Sequence, residues 1–258
     1  MNQLKEKVLA GKKLMGSFHE IGSTVAAGLM GHTGLDYTII DCEHGPFEAE
    51  TAQALAQAAA AKGVAPFARV KEISRPAILK LLDAGAQGLI IPNVKTLEQA
   101  REIVRFGKFQ PVGERGVAAT VSSDFWFSDM LSEGIEGYFR QANELTMLIP
   151  QCETVECLEN IEQIAALDGI DGIFVGPYDL STAMGKPAQF EDPEIRAAIA
   201  RILAACKAAG KLSFIYTGDL SKAREYLAMG FDSVTYSLDA IVLVEAYREA
   251  VRKILAEE

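Results

Sequence analysis

The chain has 258 residues, of which 49% are hydrophobic and 23% are charged, so it is too long and too apolar for a disordered tail or a disulfide-stapled mini-protein. Its 25 basic and 35 acidic residues give a formal net charge of −10. This charge argues against binding to nucleic acid or to an anionic membrane, because binding phosphates needs a basic face. An anionic small-molecule substrate stays open, since a local arginine or a metal ion could hold it.

The amino-terminal stretch and the cysteines favour a cytoplasmic protein. Residues Met1–Gly11 are charged and helix-like, without the apolar core of a signal peptide, and no apolar run approaches the ~20 residues that span a membrane. The four cysteines form neither a CxxC pair nor a zinc-finger pattern with histidine. We expect the following thiols to be reduced packing residues: Cys42, Cys152, Cys157 and Cys206.

Short apolar runs alternate with longer helix-period segments along the chain. The runs predict strands at Leu14–Phe18, Tyr37–Asp41, Ala65–Val70, Gly88–Ile91, Thr146–Gln151, Gly172–Val175, Leu212–Tyr216 and Ser233–Tyr236. The intervening segments predict helices at Ser23–Gly31, Phe47–Lys62, Arg75–Ala84, Leu97–Phe106, Val155–Leu167, Glu194–Ala209, Ser221–Met229 and Ala240–Ala256. Thr96 and Ser221 are the predicted N-caps of two of these helices, and several helices end on glycine.

Eight strands alternating with about eight helices predict a (β/α)8 TIM barrel. The strands are continuous apolar runs, as expected for strands buried on both faces. A doubly wound open sheet is the competing architecture, but no GxGxxG motif follows the first strand. Because no Pro/Gly/Ser-rich linker interrupts the pattern, we expect one domain over residues 1–258.

One long connection, Val112–Glu144, separates the fourth and fifth strands and carries a predicted short helix near Glu136–Ala142. Connections of this length within a compact domain are usually functional or form an interface. Its aromatic cluster, Phe125-Trp126-Phe127, favours packing or a subunit contact over the lining of a substrate pocket.

Polar and titratable residues follow four of the predicted strands. The active site of a TIM barrel lies at the carboxyl ends of its strands, so these side chains should meet on one rim. They are Asp41, Glu43, His44, Arg69, Gln151, Glu153, Tyr178 and Asp179, the last two of which follow Gly176 at the end of the sixth strand. Structural alternatives exist: Arg69 could form a salt bridge within the barrel, and Glu153 and Asp179 could cap the helices that follow them.

Two chemical roles follow from these residue types. A carboxylate such as Asp41 would orient His44 and raise its basicity, as a general base requires. Glu153 and Asp179, with no cysteine or second histidine beside them, favour oxygen ligation of Mg²⁺ or Mn²⁺, although two acids alone are a weak metal signal.

Five ordered motifs resemble the HpcH/HpaI family of metal-dependent class II pyruvate aldolases, and the likeness extends from Gly16 to the last helix. The motifs are Asp41-x-Glu-His44-Gly, the strand-end Arg69, Pro-x-Gly-x-Arg-Gly at 111–116, Gln151-x-Glu153-Thr, and Gly176-Pro-x-Asp179-Leu-Ser. The resemblance implies a barrel of the phosphoenolpyruvate/pyruvate type that acts on 4-hydroxy-2-oxo acids, giving a 2-oxo acid and an aldehyde.

The resemblance also implies a role for each matched residue. Glu153 and Asp179 would hold a divalent ion (Mg²⁺, Mn²⁺ or Co²⁺) that binds the 2-oxo acid, and Arg69 would stabilise the enolate. His44, paired with Asp41, would be the acid/base. A further set would contact the substrate or a metal-bound water: Gln151, Gly176 and the backbone N–H groups of Tyr178 and Asp179, since Pro177 has no N–H.

The chain departs from the family pattern at two places. The first strand ends in Phe18-His19, where relatives often carry Trp at the position of Phe18, and the seventh ends in Ile215-Tyr216-Thr217-Gly218. Both places are expected at the rim, so the aldehyde preference stays open. Relatives are commonly hexamers with an exchanged terminal helix, which predicts a homo-oligomer, although Ala240–Ala256 could equally close its own barrel.

Other functions remain open at the level of sequence. The family resemblance allows a decarboxylase of oxaloacetate-like acids or a citrate-lyase-like CoA-ester lyase, for which no adenine or pantetheine motif is visible. A Schiff-base aldolase would use Lys71 or Lys95. A non-enzymatic binding or assembly module is the remaining hypothesis.

Overall fold

Eight parallel strands form a closed barrel, β1 to β8 in chain order, with β8 pairing with β1. The computed structural model describes residues 2–256. The strands are Leu14–His19 (β1), Tyr37–Asp41 (β2), Ala65–Arg69 (β3), Gly88–Ile91 (β4), Met147–Cys152 (β5), Gly172–Val175 (β6), Leu212–Thr217 (β7) and Ser233–Leu238 (β8). The predicted (β/α)8 barrel is confirmed, with several strand ends one or two residues from their predicted positions.

The helices surround the barrel. They are Gln3–Leu9 (α1), Thr24–Leu29 (α2), Ala49–Ala60 (α3), Arg75–Asp83 (α4), Leu97–Gly107 (α5), Gly134–Leu145 (α6), Val155–Glu159 (α7), Ile161–Ala165 (α8), Pro177–Ala183 (α9), Pro193–Ala209 (α10), Leu220–Met229 (α11) and Asp239–Leu255 (α12). The predicted helix Val155–Leu167 is interrupted at Asn160, and α9 lies in a stretch where no helix was predicted. None of the helices within residues 2–256 combines the length and hydropathy that crossing a membrane requires.

The continuous apolar strands divide their side chains between two cores. Alternate residues such as Ile39, Phe67 and Phe174 fill the barrel interior, whereas their neighbours Ile40 and Ala68 pack towards the helices. Successive side chains of a strand point to opposite faces, so a strand buried on both faces needs apolar residues at every position.

Of the two N-caps predicted from the sequence, one is formed in the structure and the other is not. Thr96 and Gln99 form a reciprocal capping box at the start of α5, as the Thr96 prediction implies. The Ser221 prediction is wrong, because Asp219 caps α11 by accepting the N–H of Lys222 at 2.7 Å. Asp219 precedes the helix by one residue and therefore reaches the first-turn N–H groups that Ser221, inside the helix, cannot.

The Val112–Glu144 connection contains 3₁₀ turns at Val121–Trp126 and Asp129–Glu133 before α6. Its aromatic side chains Phe125, Trp126 and Phe127 are exposed, so they do not serve as packing residues within this chain. Asp124, Phe125 and Trp126 also have φ angles of 47°, 50° and 70°. Their predicted role in a subunit contact stays a prediction.

Candidate active site

Asp41 and Arg69 form a two-pronged ion pair at the ends of β2 and β3, where the strand register places them side by side. Arg69 Nε donates to Asp41 Oδ1 at 2.9 Å, and Nη2 donates to Oδ2. The backbone N–H groups of Glu43 and His44 donate to Oδ1 at 3.1 and 3.3 Å. Burial opposes the charge of Asp41, but the hydrogen bonds and charge of Arg69 hold its pKa below the usual value. Arg69 thus does form the salt bridge that the sequence left as an alternative role.

The remaining edge of Arg69 faces other groups of the rim. Its Nη1 atom lies 3.3 Å from Glu43 Oε2, and its Cζ atom lies 4.6 Å from the centre of the Phe18 ring. The side chain is nearly buried. Burial disfavours the guanidinium charge, but Asp41 and Glu43 outweigh it and raise the pKa of Arg69. A permanently charged donor therefore lies at the strand ends, where it can bind a developing oxyanion.

His44 lies apart from this pair. Its side chain is 72% exposed, and its Nε2 atom lies 3.9 Å from Glu43 Oε2. The expected pairing of the His44 imidazole with Asp41 is not formed, because Arg69 occupies both carboxylate oxygens and only the backbone of His44 reaches Asp41. The acid/base role of His44 stays a prediction.

Glu153 lies just beyond β5 and is buried among polar neighbours. Its Oε1 atom accepts the N–H of Asn93 at 2.6 Å, and its Oε2 atom accepts from Gln151 Nε2. Asn93 has a φ of 53°, a conformation that asparagine tolerates better than most residues. Burial, together with the negative charges of Asp179 and Glu43, raises the pKa of Glu153 to about 7. The ionised form of Glu153 is therefore disfavoured by its surroundings, and a nearby cation would stabilise it.

Gly176 connects β6 to α9 and allows close packing against the Glu153 group. A Cβ atom at Gly176 would lie 2.8 Å from Gln151 Nε2 and 2.9 Å from Glu153 Oε2. The N–H of Leu180 donates to the Gly176 carbonyl at 3.0 Å, whereas the N–H groups of Tyr178 and Asp179 belong to the first turn, which has no intrahelical acceptors. The structure therefore brings Gln151, Glu153 and Gly176 together, with α9 beginning beside them.

The donor set beside β5 and β6 fits a hard divalent cation. Gln151 Oε1 is buried without a hydrogen-bond partner among the described residues, and the charge of Asp179 acts on Glu153. Within residues 2–256, no group of three or more His, Cys, Asp or Glu side chains is arranged to hold a metal ion. A cation held by Glu153 and Asp179 would take its other ligands from water and substrate, as Mg²⁺ commonly does.

Three residues of the rim were not predicted as site residues: Glu20, Asn93 and Asp239. Glu20 follows β1 and lies beside Asp41. Glu20 is the first polar residue after β1, which ends at His19 and not at the predicted Phe18. With the correct strand end, the strand-end criterion identifies Glu20 as a site residue. Asn93 and Asp239 act through backbone and buried contacts that no sequence motif marks.

His19 ends β1 at the rim, as its place in the sequence predicts, but its side chain is not exposed there. Its side chain is fully buried, and its Nδ1 atom lies 2.8 Å from Asp239 Oδ2. Tyr216, in contrast, is half-buried at the end of β7 and contacts Phe18 with ring centres 5.8 Å apart. The Tyr178 ring lies 6.1 Å from the Tyr216 ring. Phe18, Tyr178 and Tyr216 form an aromatic wall beside Arg69.

The sequence and the fold match proteins of known family. The sequence model of the HpcH/HpaI aldolase/citrate lyase family matches residues 16–246. The chain is 34% identical over 245 residues to the 2-keto-3-deoxy-L-rhamnonate aldolase of Salmonella gallinarum, covering 95% of this chain and 90% of that protein. An HpcH/HpaI aldolase from Desulfitobacterium hafniense superposes with a TM-score of 0.90 at 30% identity, covering 99% of this chain and 97% of that chain. A family protein from Burkholderia cenocepacia gives 0.89 at 32% identity, covering 99% and 100%.

Proposed function

We propose that this chain, which belongs to the HpcH/HpaI aldolase/citrate lyase family, cleaves and forms 4-hydroxy-2-oxo acids through a pyruvate enolate and an aldehyde. The chain is an aldolase of the aldehyde-lyase type. The observation that carries the proposed chemistry is the nearly buried, permanently charged Arg69, fixed by Asp41 on the same rim as Glu153.

Cleavage breaks the bond between C3 and C4 of the substrate. The proton of the C4 hydroxyl group passes to a base, C4 leaves as the aldehyde, and the electron pair of the broken bond stays on the pyruvate fragment as an enolate. A proton added at C3 then gives pyruvate. We assign the stabilisation of the enolate oxygen to the Arg69 guanidinium, because a charged donor already fixed in place needs no reorganisation during the reaction.

We assign proton transfer at the C4 hydroxyl group to His44. Its imidazole is exposed and has no side-chain hydrogen bond among the described residues that would hold it away from a substrate. An imidazole nitrogen can both accept and return a proton, as this step requires. Asp41 contributes by holding Arg69 and by accepting the backbone N–H of His44.

The substrate carboxylate is proposed to bind where α9 begins. The N–H groups of Tyr178 and Asp179 lack intrahelical acceptors, and Gly176 lets α9 begin close to Gln151 and Glu153. Gln151 contributes a buried amide oxygen, which can accept from a water molecule or a substrate hydroxyl group.

Glu153 and Asp179 are proposed to hold a divalent cation, Mg²⁺, Mn²⁺ or Co²⁺. When bound, such an ion supplies Lewis-acid polarisation of the substrate's oxo group. Gln151 and Asn93 keep the Glu153 carboxylate in one orientation by donating to its two oxygens. The same two bonds satisfy a buried acid that would otherwise be costly to charge.

The aldehyde end of the substrate is proposed to lie against the aromatic wall of Phe18, Tyr178 and Tyr216. The similar Salmonella protein is named for 2-keto-3-deoxy-L-rhamnonate, and a 4-hydroxy-2-oxo acid is the proposed substrate class here. The three aromatic side chains contact one another at this end of the site, so we propose that the wall favours aldehydes with an apolar carbon chain.

Two other reactions could use the same rim. Decarboxylation of an oxaloacetate-like acid would also yield an enolate held by Arg69, with carbon dioxide leaving in place of the aldehyde, and a CoA-ester lyase would release an acyl-CoA. The Schiff-base alternative has less support, because Lys71 and Lys95 are exposed and face the exposed acids Glu48 and Glu156.

We propose that the protein is a homo-oligomer, a hexamer by family resemblance. Helix α12 has only Asp239 buried. Its large apolar side chains are exposed: Ile241, Val242, Leu243, Val244, Tyr247, Val251, Ile254 and Leu255. This apolar face fits packing against a second copy better than closure of its own barrel. Light scattering at micromolar concentration should give a mass several times that of one chain, and a monomer would contradict the proposal.

We also propose a cytoplasmic location. All four cysteines are unpaired and buried, which confirms their expected role as packing residues and suits a reducing compartment. Fractionation of cells expressing the protein from its own promoter tests this location.

The function is tested by assaying pyruvate with a panel of aldehydes, each with Mg²⁺, Mn²⁺, Co²⁺ or EDTA. We expect a 4-hydroxy-2-oxo acid product only in the presence of metal. Parallel assays with oxaloacetate and with acyl-CoA esters separate the two alternative reactions. Borohydride trapping of a pyruvate adduct on a lysine would contradict the proposed chemistry.

A further inference from the structure

Phe190 lies in the connection between α9 and α10, residues 184–192, and its ring packs against the aromatic wall. The centres of the Phe190 and Tyr178 rings are 4.8 Å apart at an interplanar angle of 78°, the edge-to-face arrangement that aromatic pairs favour. The Tyr178 ring in turn lies 6.1 Å from that of Tyr216. Tyr178 therefore links Phe190 to the rest of the wall, and its contact with Phe190 is the closer of the two.

The Tyr178 side chain depends on such contacts for its orientation. It belongs to the first turn of α9 and is 49% exposed. A half-exposed side chain can adopt more than one rotamer, and each rotamer of Tyr178 would place its ring differently relative to Tyr216. The edge-to-face contact with Phe190 favours the one rotamer that brings Tyr178 into the wall.

The connection that carries Phe190 is tied to α9 through Ser181, whose side chain is fully buried. Ser181 Oγ donates to the Tyr178 carbonyl at 2.9 Å and accepts the N–H of Ala188 at 3.0 Å. The N–H of Lys186 donates to the Ser181 carbonyl at 2.7 Å. The chain after α9 therefore folds back onto the helix, and these hydrogen bonds bring Phe190 to Tyr178.

The residue after Phe190 anchors the connection to α10 and α11 through a cluster of ion pairs. Glu191 Oε2 lies 2.8 Å from Arg196 Nη1, and Glu191 Oε1 contacts Lys222 Nζ. Glu225 pairs with the same two cations, at 3.0 Å from Arg196 Nη2 and 2.7 Å from Lys222 Nζ. Single exposed ion pairs contribute little, but a network of four charges fixes its members better than one pair does. Phe190 is thus held on both sides along the chain.

We propose that Phe190 is a positioning residue for the aldehyde end of the site, holding the Tyr178 ring in the orientation that completes the aromatic wall. The kinetic part of the proposal rests on the proposed aldolase function. Phe190 acts through Tyr178, and a phenyl ring carries no group that could bind a metal ion or an oxyanion. Its loss should therefore weaken the choice of aldehyde and leave the formation of the pyruvate enolate unchanged.

Two substitutions and a control separate this role from a purely structural one. Phe190→Ala removes the ring, and Phe190→Tyr keeps it. We expect Phe190→Ala to raise the KM for an aliphatic aldehyde such as propanal about 3-fold, and Phe190→Tyr to restore it. Exchange of the pyruvate methyl hydrogens in D₂O, measured with Mg²⁺ and without aldehyde, should stay at the wild-type rate in both variants, whereas a loss of folded enzyme would lower it.

The matched control is Phe106→Ala. It removes another half-buried phenyl ring, which lies on α5 under the guanidinium group of Arg105 and outside the aromatic wall. Both the aldehyde KM and the exchange rate should match those of the wild type.

Fluorine NMR of protein labelled with 3-fluorotyrosine tests the ring contact without turnover. The Tyr178 signal is identified by its absence in Tyr178→Phe. It should shift in Phe190→Ala and stay in place in Phe106→Ala, because only the first variant removes the ring 4.8 Å away.

Three results would each overturn the proposal: an unshifted Tyr178 signal in Phe190→Ala, an unchanged aldehyde KM, or a fall in pyruvate exchange as large as the change in KM. If the signal shifts but the wild type turns over no 2-oxo acid, the contact between Phe190 and Tyr178 stands and the aldolase proposal fails.

Discussion

The two sides of the rim differ in how they surround their buried carboxyl groups. On the guanidinium side, formed by Glu20, Asp41 and Arg69, a fixed cation neutralises the carboxylate and lowers the pKa of Asp41. On the acidic side, formed by Gln151, Glu153 and Asp179, the acids lie near one another, and burial and their mutual repulsion raise the pKa of Glu153 to about 7. The first side is therefore electrostatically complete within the chain, whereas the buried acids of the second side would be stabilised by a bound cation.

The largest expected effect comes from breaking the acidic side. Asp179→Ala should lower kcat/KM by about 10³-fold, because it removes a carboxylate from the proposed metal site and with it the polarisation of the oxo group. Steady-state kinetics at saturating Mn²⁺ measure this loss, and calorimetric titration with Mn²⁺ alone should show weakened binding. Normal turnover in a folded, metal-loaded Asp179→Ala protein would refute the assignment.

Breaking the guanidinium side should cost less. Arg69→Lys keeps a positive charge but cannot donate to both Asp41 oxygens, and we expect kcat/KM to fall between 10²- and 10³-fold. Binding of Mn²⁺ should stay close to that of the wild type, since Arg69 forms no salt bridge with Glu153 or Asp179 among the described residues. Loss of metal binding in this variant, with an unchanged circular dichroism spectrum, would show that the two sides are one unit.

His44 lies outside both charge clusters. His44→Ala should lower kcat by about 10²-fold, at the lower end for general acid–base catalysis, because water can reach an exposed imidazole position and replace part of its role. Added imidazole should restore part of the rate. The matched control is His32, a histidine in the connection between β1 and β2, and His32→Ala should behave as the wild type.

The raised pKa of Glu153 predicts how metal-free protein responds to pH. Because the folded pKa of about 7 lies above the ordinary value of 4.5, the contribution of protonated Glu153 to stability is complete below pH 4.5 and is lost as the pH rises through 7. In EDTA, the urea midpoint of the wild type minus that of Glu153→Gln should therefore fall over this range. Added Mg²⁺ should restore stability of the wild type above pH 7. A urea midpoint that does not change on addition of Mg²⁺ would contradict the proposed metal site.

The smallest effect concerns the aromatic wall, which meets the guanidinium side where Arg69 lies over the Phe18 ring. Tyr216→Leu should change the KM for an aldehyde by about 3-fold while leaving the KM for pyruvate unchanged, as expected for the loss of one aromatic contact. Competition between an aliphatic and a polyhydroxylated aldehyde measures the shift. An equal change in both KM values would place Tyr216 at the pyruvate end instead.

The sequence predicts the barrel well and the contacts of its rim less well. Apolar runs such as Gly172–Val175 determine where strands lie, and the carboxyl end of each strand determines which residues reach the rim, so Arg69 and Glu153 could be found. Which partner Asp41 takes depends on the register between β2 and β3, not on chain neighbours such as His44. A sequence motif groups residues that are close along the chain. The strand register instead brings together Asp41 and Arg69, which are 28 positions apart.

Glu20 and Asp239 illustrate a second limit. Their contact depends on the closure of the barrel, which brings the end of β1 beside the start of α12, more than 200 residues later. No local pattern encodes that proximity. The predicted Ser221 cap failed for a smaller reason, since Asp219 lies two residues earlier and has the better geometry.

Hydrogen exchange at the pyruvate methyl group reports whether a pyruvate enolate forms with the help of both sides of the rim. With pyruvate in D₂O and no aldehyde, proton NMR should show enzyme-dependent loss of the methyl signal with Mg²⁺. The exchange should stop with EDTA and should fall strongly in Arg69→Lys. Exchange that persists in EDTA, or its absence in a Mg²⁺-loaded enzyme that turns over aldehydes, would contradict a metal-dependent pyruvate enolate.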